Sequence, residues 1–215
     1  MPLIHPLRLR HALVACCVCW MGLAAGMYSA EPRTLVFFGD SLTAGYGLED
    51  PAVQAYPYLI REKIAAAGLS WRTVNAGLSG ETTAGGLRRI DWILRQPVDL
   101  LVLALGANDG LRGVSPAVSQ GNLQQIIDRV RAKNPQTIVV VAGMQMPSSM
   151  GADFEKTFGE IFPAVAAKNS ATLVPFLLEG VGGREELNQP DRIHPNAAGH
   201  AVVAETVWKI LRPLL

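Results

Sequence analysis

The sequence predicts a three-layer α/β fold, with about five parallel strands and helices on both faces of the sheet. Three observations predict it. Short apolar runs stop abruptly at glycines or turns, helical spacing fills the stretches between them, and the two patterns alternate along the chain. A run that is apolar on both faces suits a parallel strand covered by helices on each side.

The first strand is Thr34-Leu35-Val36-Phe37-Phe38, closed by Gly39. Leu59, Ile64 and Ala67 then mark a helix that Gly68 stops. A shorter run from Arg72 to Asn75 is the second strand, and Leu87, Ile90, Ile93 and Leu94 mark the helix after it. Leu100 to Leu105 form the third strand and end at Gly106; Leu123, Ile126, Ile127 and Val130 lie on a helix that ends before Pro135. Ile138 to Ala142 end at Gly143, and Phe154, Phe158, Ile161, Val165 and Ala166 follow with helical spacing. Pro163 must kink or interrupt that helix, because it lacks the N–H of its turn. Thr172 to Phe176 are the last strand, and the last helix runs from about Asn196 to Leu211 on Val202, Val203, Val207, Ile210 and Leu211. Ligands of such sheets bind at the carboxyl ends of the strands. Chemistry should therefore collect after Phe38, Asn75, Leu105, Ala142 and Phe176.

The first thirty residues read as an address label. Arg8, Arg10 and His11 precede an apolar run from Ala12 to Met27, and the first acidic residue is Glu31. This is the order of a secretory signal peptide, with cleavage close to Ala30. The bulky Tyr28 fits the cleavage position poorly, which keeps an uncleaved anchor in play, but a spanning helix needs roughly 20 apolar residues and the run is shorter. Leu13-Val14-Ala15-Cys16 resembles a lipoprotein box but follows Arg10 too closely. Residues 31–215 are then one domain, exported to the periplasm or the medium, with no stable membrane insertion of its own.

Removal of Arg8 and Arg10 lowers the 19 basic residues to 17 against 18 acidic ones, a net charge of −1. That balance gives no reason to expect a nucleic-acid partner. All three cysteines lie in the label, so the remainder has no disulfide framework and no thiolate metal site. No residue pattern speaks to oligomeric state.

Histidine scarcity narrows the chemistry. Of four histidines, His5 and His11 belong to the label, which leaves His194 and His200 as bases near neutral pH. His194 sits in Asp191-Arg192-Ile193-His194-Pro195, just before the last helix. On a tight turn the Asp191 carboxylate can hold one imidazole nitrogen and leave the other free as a base. The same aspartate could instead only cap the helix. His200, about two turns in, reads as packing or a solvated side chain. With no cysteine left, serine is the natural nucleophile. Gly39-Asp40-Ser41-Leu42 follows the first strand, where Ser41 can open a helical turn whose N-terminus favours negative charge. Asp40 and Ser41 could also be simple capping residues. The loops Asn75-Ala76-Gly77-Leu78-Ser79-Gly80-Glu81-Thr82 and Gly106-Ala107-Asn108-Asp109-Gly110 supply a glycine N–H and an amide as oxyanion donors, or else are ordinary turns.

With those four blocks in view, the chain resembles an SGNH (GDSL-type) hydrolase, most similar to its bacterial lysophospholipase, thioesterase and arylesterase group, over about Thr34 to Leu211. The resemblance implies Ser41 as nucleophile in Gly-Asp-Ser-Leu and Asp191 and His194 as acid and base. It implies an oxyanion hole from the Ser41 N–H, the Gly80 N–H and the Asn108 side chain, with Gly80 rather than Gly77 as the glycine. It also implies a flavodoxin-like strand order of 2-1-3-4-5. One departure is the loop after the fourth strand, Met144-Gln145-Met146-Pro147-Ser148-Ser149-Met150-Gly151, where Ser149 and Met150 replace an asparagine and a tyrosine of relatives. The methionines suggest an apolar, adaptable cleft wall, or ordinary packing at its edge.

The expected function is hydrolysis of small-molecule acyl esters (aryl, short- to medium-chain, thioester or lysophospholipid) through an acyl-enzyme, with no metal, nucleotide or organic cofactor. A polysaccharide or peptidoglycan O-deacetylase would use the same triad, but Met144, Met146, Met150 and Leu111 lean towards fatty acyl chains. A catalytically idle binding protein would not need every position filled. Absence of a GxSxG elbow, a GxxxxGK[ST] loop and a GxGxxG motif argues against the larger α/β-hydrolase fold, NTPases and dinucleotide enzymes.

Overall fold

The computed structural model describes residues 31–215; the expected signal peptide at 1–30 lies outside the described residues. Strand β1 (Arg33–Gly39) lies between β2 (Trp71–Gly77) and β3 (Leu100–Ala104), followed by β4 (Ile138–Ala142) and β5 (Thr172–Val174), all parallel. The order β2-β1-β3-β4-β5 is the expected flavodoxin-like one. Every residue of β3 is buried, as are residues 34–39 of β1, whereas edge strand β2 is only partly covered. Burial on both faces is why the central strands read as continuous apolar runs and the edge does not.

Two short helices, α1 (Ser41–Ala44) and α2 (Pro51–Gln54), precede α3 (Tyr56–Ala66). The remaining helices are α4 (Thr83–Ile93), α5 (Ala107–Leu111), α6 (Pro116–Lys133), α7 (Ala152–Lys168) and α8 (Ala197–Leu211). α6 packs against α4 on one side and α7 on the other in one layer, and α3 packs on α8 in the other. Among the described residues no helix is long and apolar enough to cross a membrane.

Four details differ from the sequence-based expectation. The α3 core face is Tyr56, Pro57, Ile60 and Ile64, and Ala67 is exposed. The stripe is set by an aromatic and a proline at the helix start that a count of aliphatic residues passes over. α7 runs through Pro163 without a break, because Pro163 is exposed and the Gly159 carbonyl that loses its partner can turn to water. β5 stops at Val174, since Pro175 has no N–H to extend the ladder. Finally, the Gly-Ala-Asn-Asp-Gly segment is no simple turn: it forms most of the short helix α5.

The carboxyl edge of the sheet ends in a ledge with no side chain larger than a methyl group. Gly39 pairs with Gly77 on one side and Ala104 on the other. A Cβ on Gly39 would meet Thr43 and, at 2.7 Å, the Ala104 carbonyl oxygen; one on Gly77 would overlap the backbone of Thr43 and Ala44. The turn α1, which begins at Ser41, thus rests directly on bare backbone, a close approach that only glycine permits.

Candidate active site

Ser41 is the first residue of α1, directly above that ledge. Asp40 caps the helix, one carboxylate oxygen accepting the Leu42 N–H at 3.0 Å. The Ser41 N–H belongs to the first turn and has no intrahelical acceptor. Ser41 is buried, with 8% of its surface exposed. The turn is tied down from β2, where Asn75 Nδ2 donates to the Thr43 carbonyl at 2.9 Å while its oxygen accepts the Gly77 N–H at 2.9 Å.

His194 Nε2 lies 2.9 Å from Ser41 Oγ, and His194 Nδ1 lies 2.7 Å from Asp191 Oδ2. An ionised Asp191 only accepts, so Nδ1 carries the proton and Nε2 is left to accept from the serine hydroxyl. Asp191 does stay ionised. Partial burial acts to raise its pKa, but the His194 N–H, the His194 ring, the Ile193 N–H and the His194 charge outweigh it and bring the value down to about 2. The other carboxylate oxygen accepts the Ile193 and His194 N–H groups at 2.9 and 3.0 Å, which folds residues 191–194 into an Asx turn. Arg192 at its tip has a left-handed backbone (φ 58°). The Tyr46 ring lies 4.8 Å from the imidazole, tilted by 50°.

The two expected oxyanion loops converge on the Gly39–Asp40 shoulder. In the loop after β2, Leu78 N–H donates to the Gly39 carbonyl at 2.9 Å. The Gly80 carbonyl accepts from Arg112 Nη2 at 3.0 Å. Glu81, next in sequence, is buried and forms a salt bridge with Arg89, whose guanidinium also donates to the Ala76 and Gly39 carbonyls at 2.8 and 3.3 Å and covers the Phe38 ring at 4.2 Å. From the other side Asn108 Nδ2 donates to the second Asp40 oxygen at 3.3 Å. Its neighbour Asp109 is buried and accepts the Thr83 N–H at 2.7 Å, the Thr83 hydroxyl at 2.5 Å and the Ser119 hydroxyl at 3.2 Å, locking α5 to α4 and α6.

Ser41, His194, Asp191, Gly80 and Asn108 therefore all stand at the carboxyl edge of the sheet. Residues absent from the sequence-based site hold them there: Arg89, Glu81, Asp109, Asn75 and Gln189. Gln189 joins the two halves of the site. Its side-chain N–H groups donate to the Tyr46 carbonyl at 2.6 Å and the Pro195 carbonyl at 3.0 Å, and its backbone N–H to the His194 carbonyl at 2.8 Å. Asn75, Glu81 and Asp109 lie within the two loops that the sequence singles out, whereas Arg89 and Gln189 lie outside them. His200 is buried on α8, with Nδ1 accepting the Tyr56 N–H at 3.3 Å, and takes no part in the Ser41–His194–Asp191 hydrogen bonds. The methionine loop departs from the expected cleft wall. Met144 and Met146 are buried in the core, Met146 against Gly110, and only Met150 and Leu111 reach the surface. Among the described residues no cluster of His, Cys, Asp and Glu could hold a metal ion.

A serine, an imidazole and a carboxylate in hydrogen-bonded sequence, at the carboxyl edge of a flavodoxin-like 2-1-3-4-5 sheet, form the side-chain arrangement of a serine hydrolase. The profile of the GDSL-like Lipase/Acylhydrolase family matches residues 37–202, and the chain belongs to that family. It is 41% identical over 187 residues to Esterase TesA of Pseudomonas aeruginosa, covering 86% of this chain and 91% of that one. Identity to the Thioesterase 1/protease 1/lysophospholipase L1 of Escherichia coli K12 is 34% over 192 residues, 87% of each chain. The crystal structure of TesA superposes with a TM-score of 0.81, covering 85% of this chain and all of the other.

Proposed function

We propose that the protein is a serine hydrolase of carboxylic esters, extending to thioesters and lysophospholipids, that works through an acyl-enzyme. The observation that carries this reading is the unbroken relay from Ser41 through His194 to Asp191 at 2.9 and 2.7 Å. His194 Nε2 takes the hydroxyl proton as Ser41 Oγ attacks the ester carbonyl, and the tetrahedral oxyanion is held by the Ser41 N–H, the Gly80 N–H and the Asn108 amide. The imidazolium, stabilised by Asp191, returns its proton to the leaving alcohol or thiol as the C–O or C–S bond breaks. Water then attacks the acyl-enzyme by the same route, giving the carboxylic acid and free Ser41. The chain's own groups suffice for every proton transfer in this cycle. The names of the two relatives, an esterase and a thioesterase/lysophospholipase, support the substrate range.

Hydrolysis of p-nitrophenyl esters from acetate to palmitate, with Ser41→Ala in parallel, tests the proposal. Wild type should release p-nitrophenol and Ser41→Ala should not. Equal release by both, or none by a folded wild type, would sink it. A preference confined to acetate would move the substrate from fatty acyl chains to acetyl groups. The basic-then-apolar order of residues 1–30 supports export with cleavage near Ala30. N-terminal sequencing of protein recovered outside the cytoplasm tests that: a start at Met1 would reject it.

A further inference from the structure

We propose that Asp40 is a positioning residue that fixes which end of the Asn108 amide faces the reacting oxygen. This rests on the ester-hydrolase reading above, in which Asn108 donates to the oxyanion. The two ends of a primary amide have nearly the same shape and opposite polarity, so packing alone does not choose between them. Asp40 chooses. Its Oδ2 lies 3.3 Å from Asn108 Nδ2, and a carboxylate can only accept. With the amide turned over, a carbonyl oxygen would face that carboxylate at a site where Asp40 is 1% exposed and little water can relieve the repulsion.

The geometry then divides the NH2 group. One hydrogen is taken by Asp40, and the second, on the same nitrogen, remains for the negative oxygen of the tetrahedral intermediate. In the turned-over state that intermediate would meet an acceptor. Asp40 cannot swing away to relax the choice, because its Oδ1 is held by the Leu42 N–H at 3.0 Å. One carboxylate oxygen caps the nucleophile helix and the other sets the polarity of an oxyanion donor.

Capping alone does not account for an acid here. Asn or Ser caps a helix about as well as Asp. A buried carboxylate is the costlier choice: desolvation pushes the Asp40 pKa up to about 6, although the Leu42 N–H, the Asn108 amide and the His194 charge favour its ionised form. What a carboxylate has and Asn or Ser lacks is a second oxygen that only accepts, and that oxygen is the one on Asn108.

The test is a double-mutant cycle of Asp40→Asn and Asn108→Ala, read as kcat and KM on a p-nitrophenyl ester, with thermal melts confirming folding. In Asp40→Asn the cap oxygen is retained, but an NH2 now faces Asn108 and draws its carbonyl round. Loss of one oxyanion donor costs roughly 10²–10³ in kcat, and Asp40→Asn should approach that with KM changed less than about threefold. The double variant should be no slower than Asn108→Ala alone. Multiplying losses, or a wild-type kcat in Asp40→Asn, would overturn the inference while leaving the oxyanion reading intact. A wild-type kcat in Asn108→Ala would instead remove the oxyanion reading and this inference with it. Should Asp40→Asn not fold, Asp40→Ser keeps a helix cap and lacks the second oxygen; its loss must likewise vanish in the Asn108→Ala background.

Discussion

The two halves of the proposed triad are built to different standards. The nucleophile half is buried, seated on a backbone ledge and clamped by Asn75, Asp40, Arg89 and Glu81. The acid–base half is an exposed four-residue turn, with the Asp191 side chain 37% exposed, that holds its shape through its own Asx bonds and is fastened to the nucleophile half by Gln189. Attack geometry must be kept to a fraction of an ångström, which the buried half supplies through packing and paired charges. The His194 side chain, 18% exposed, lies between the buried serine and the more exposed carboxylate. Rigidity has been placed under the oxygen that attacks, and solvent around the carboxylate that orients the imidazole.

Four measurements press on that contrast. The largest effect belongs to the exposed half: His194→Ala should lower kcat by about 10⁴–10⁶-fold. Its melting temperature should stay within a few degrees of wild type, and a large drop would mean that the turn bears structural load. Arg89→Met strikes the buried half. It leaves Glu81, nearly fully buried, without its cation, and such a break costs about 3–5 kcal/mol, readable as a lower urea midpoint. An unchanged midpoint would show the clamp to be dispensable.

The third concerns pH. Burial, then the nearby His194 charge, lowers the His200 pKa from 6.5 to about 4. Between those values the unfolded chain binds a proton that the folded state refuses, so stability falls as pH drops through that window, by about 3 kcal/mol at about 1.4 per unit. Asp40 has the opposite sign: its raised pKa gives stability at low pH that is lost as pH rises through about 6. In wild type the two oppose each other. His200→Gln should therefore gain stability at pH 4.5 relative to pH 7.5 when compared with wild type, by calorimetry; parallel pH profiles would disprove the assignment. The smallest effect is expected from Gln189→Ala. Loosening the turn should cost about tenfold in kcat through misplacement of His194, with stability changed by about 1 kcal/mol. A loss as large as that of His194→Ala would mean that the acid–base half has no integrity of its own.

The sequence spoke clearly where a rule acts locally. Leu100 to Leu105 read as a buried parallel strand because the run is apolar on both faces, and Asp191 and His194 read as a pair because three residues span one tight turn. It was silent where partners meet across long separations. Gln189 and Tyr46 are 143 residues apart, and no local pattern announces their bond. Asp40 read as a helix cap, which it is, but its second oxygen gains meaning only once β3 brings Asn108 alongside. Met144 and Met146 sounded like a cleft wall by composition; both are buried, and Met146 fills the space that a side chain at Gly110 would occupy. The end of β5 before Pro175 and the passage of α7 through Pro163 show one missing N–H with two results: it ends a strand ladder, whereas in a helix it frees a single carbonyl.

The bare ledge of Gly39, Gly77 and Ala104 divides the molecule into what can change and what cannot. A single methyl group at either glycine would lift the serine off its footing, so these positions tolerate no tinkering. Tyr46, Leu78, Leu111 and Ile193, each about half exposed on the loops above, carry no such burden. Descendants of this chain, natural or selected in the laboratory, can trade one substrate for another by rewriting that rim while inheriting the seat of the nucleophile untouched.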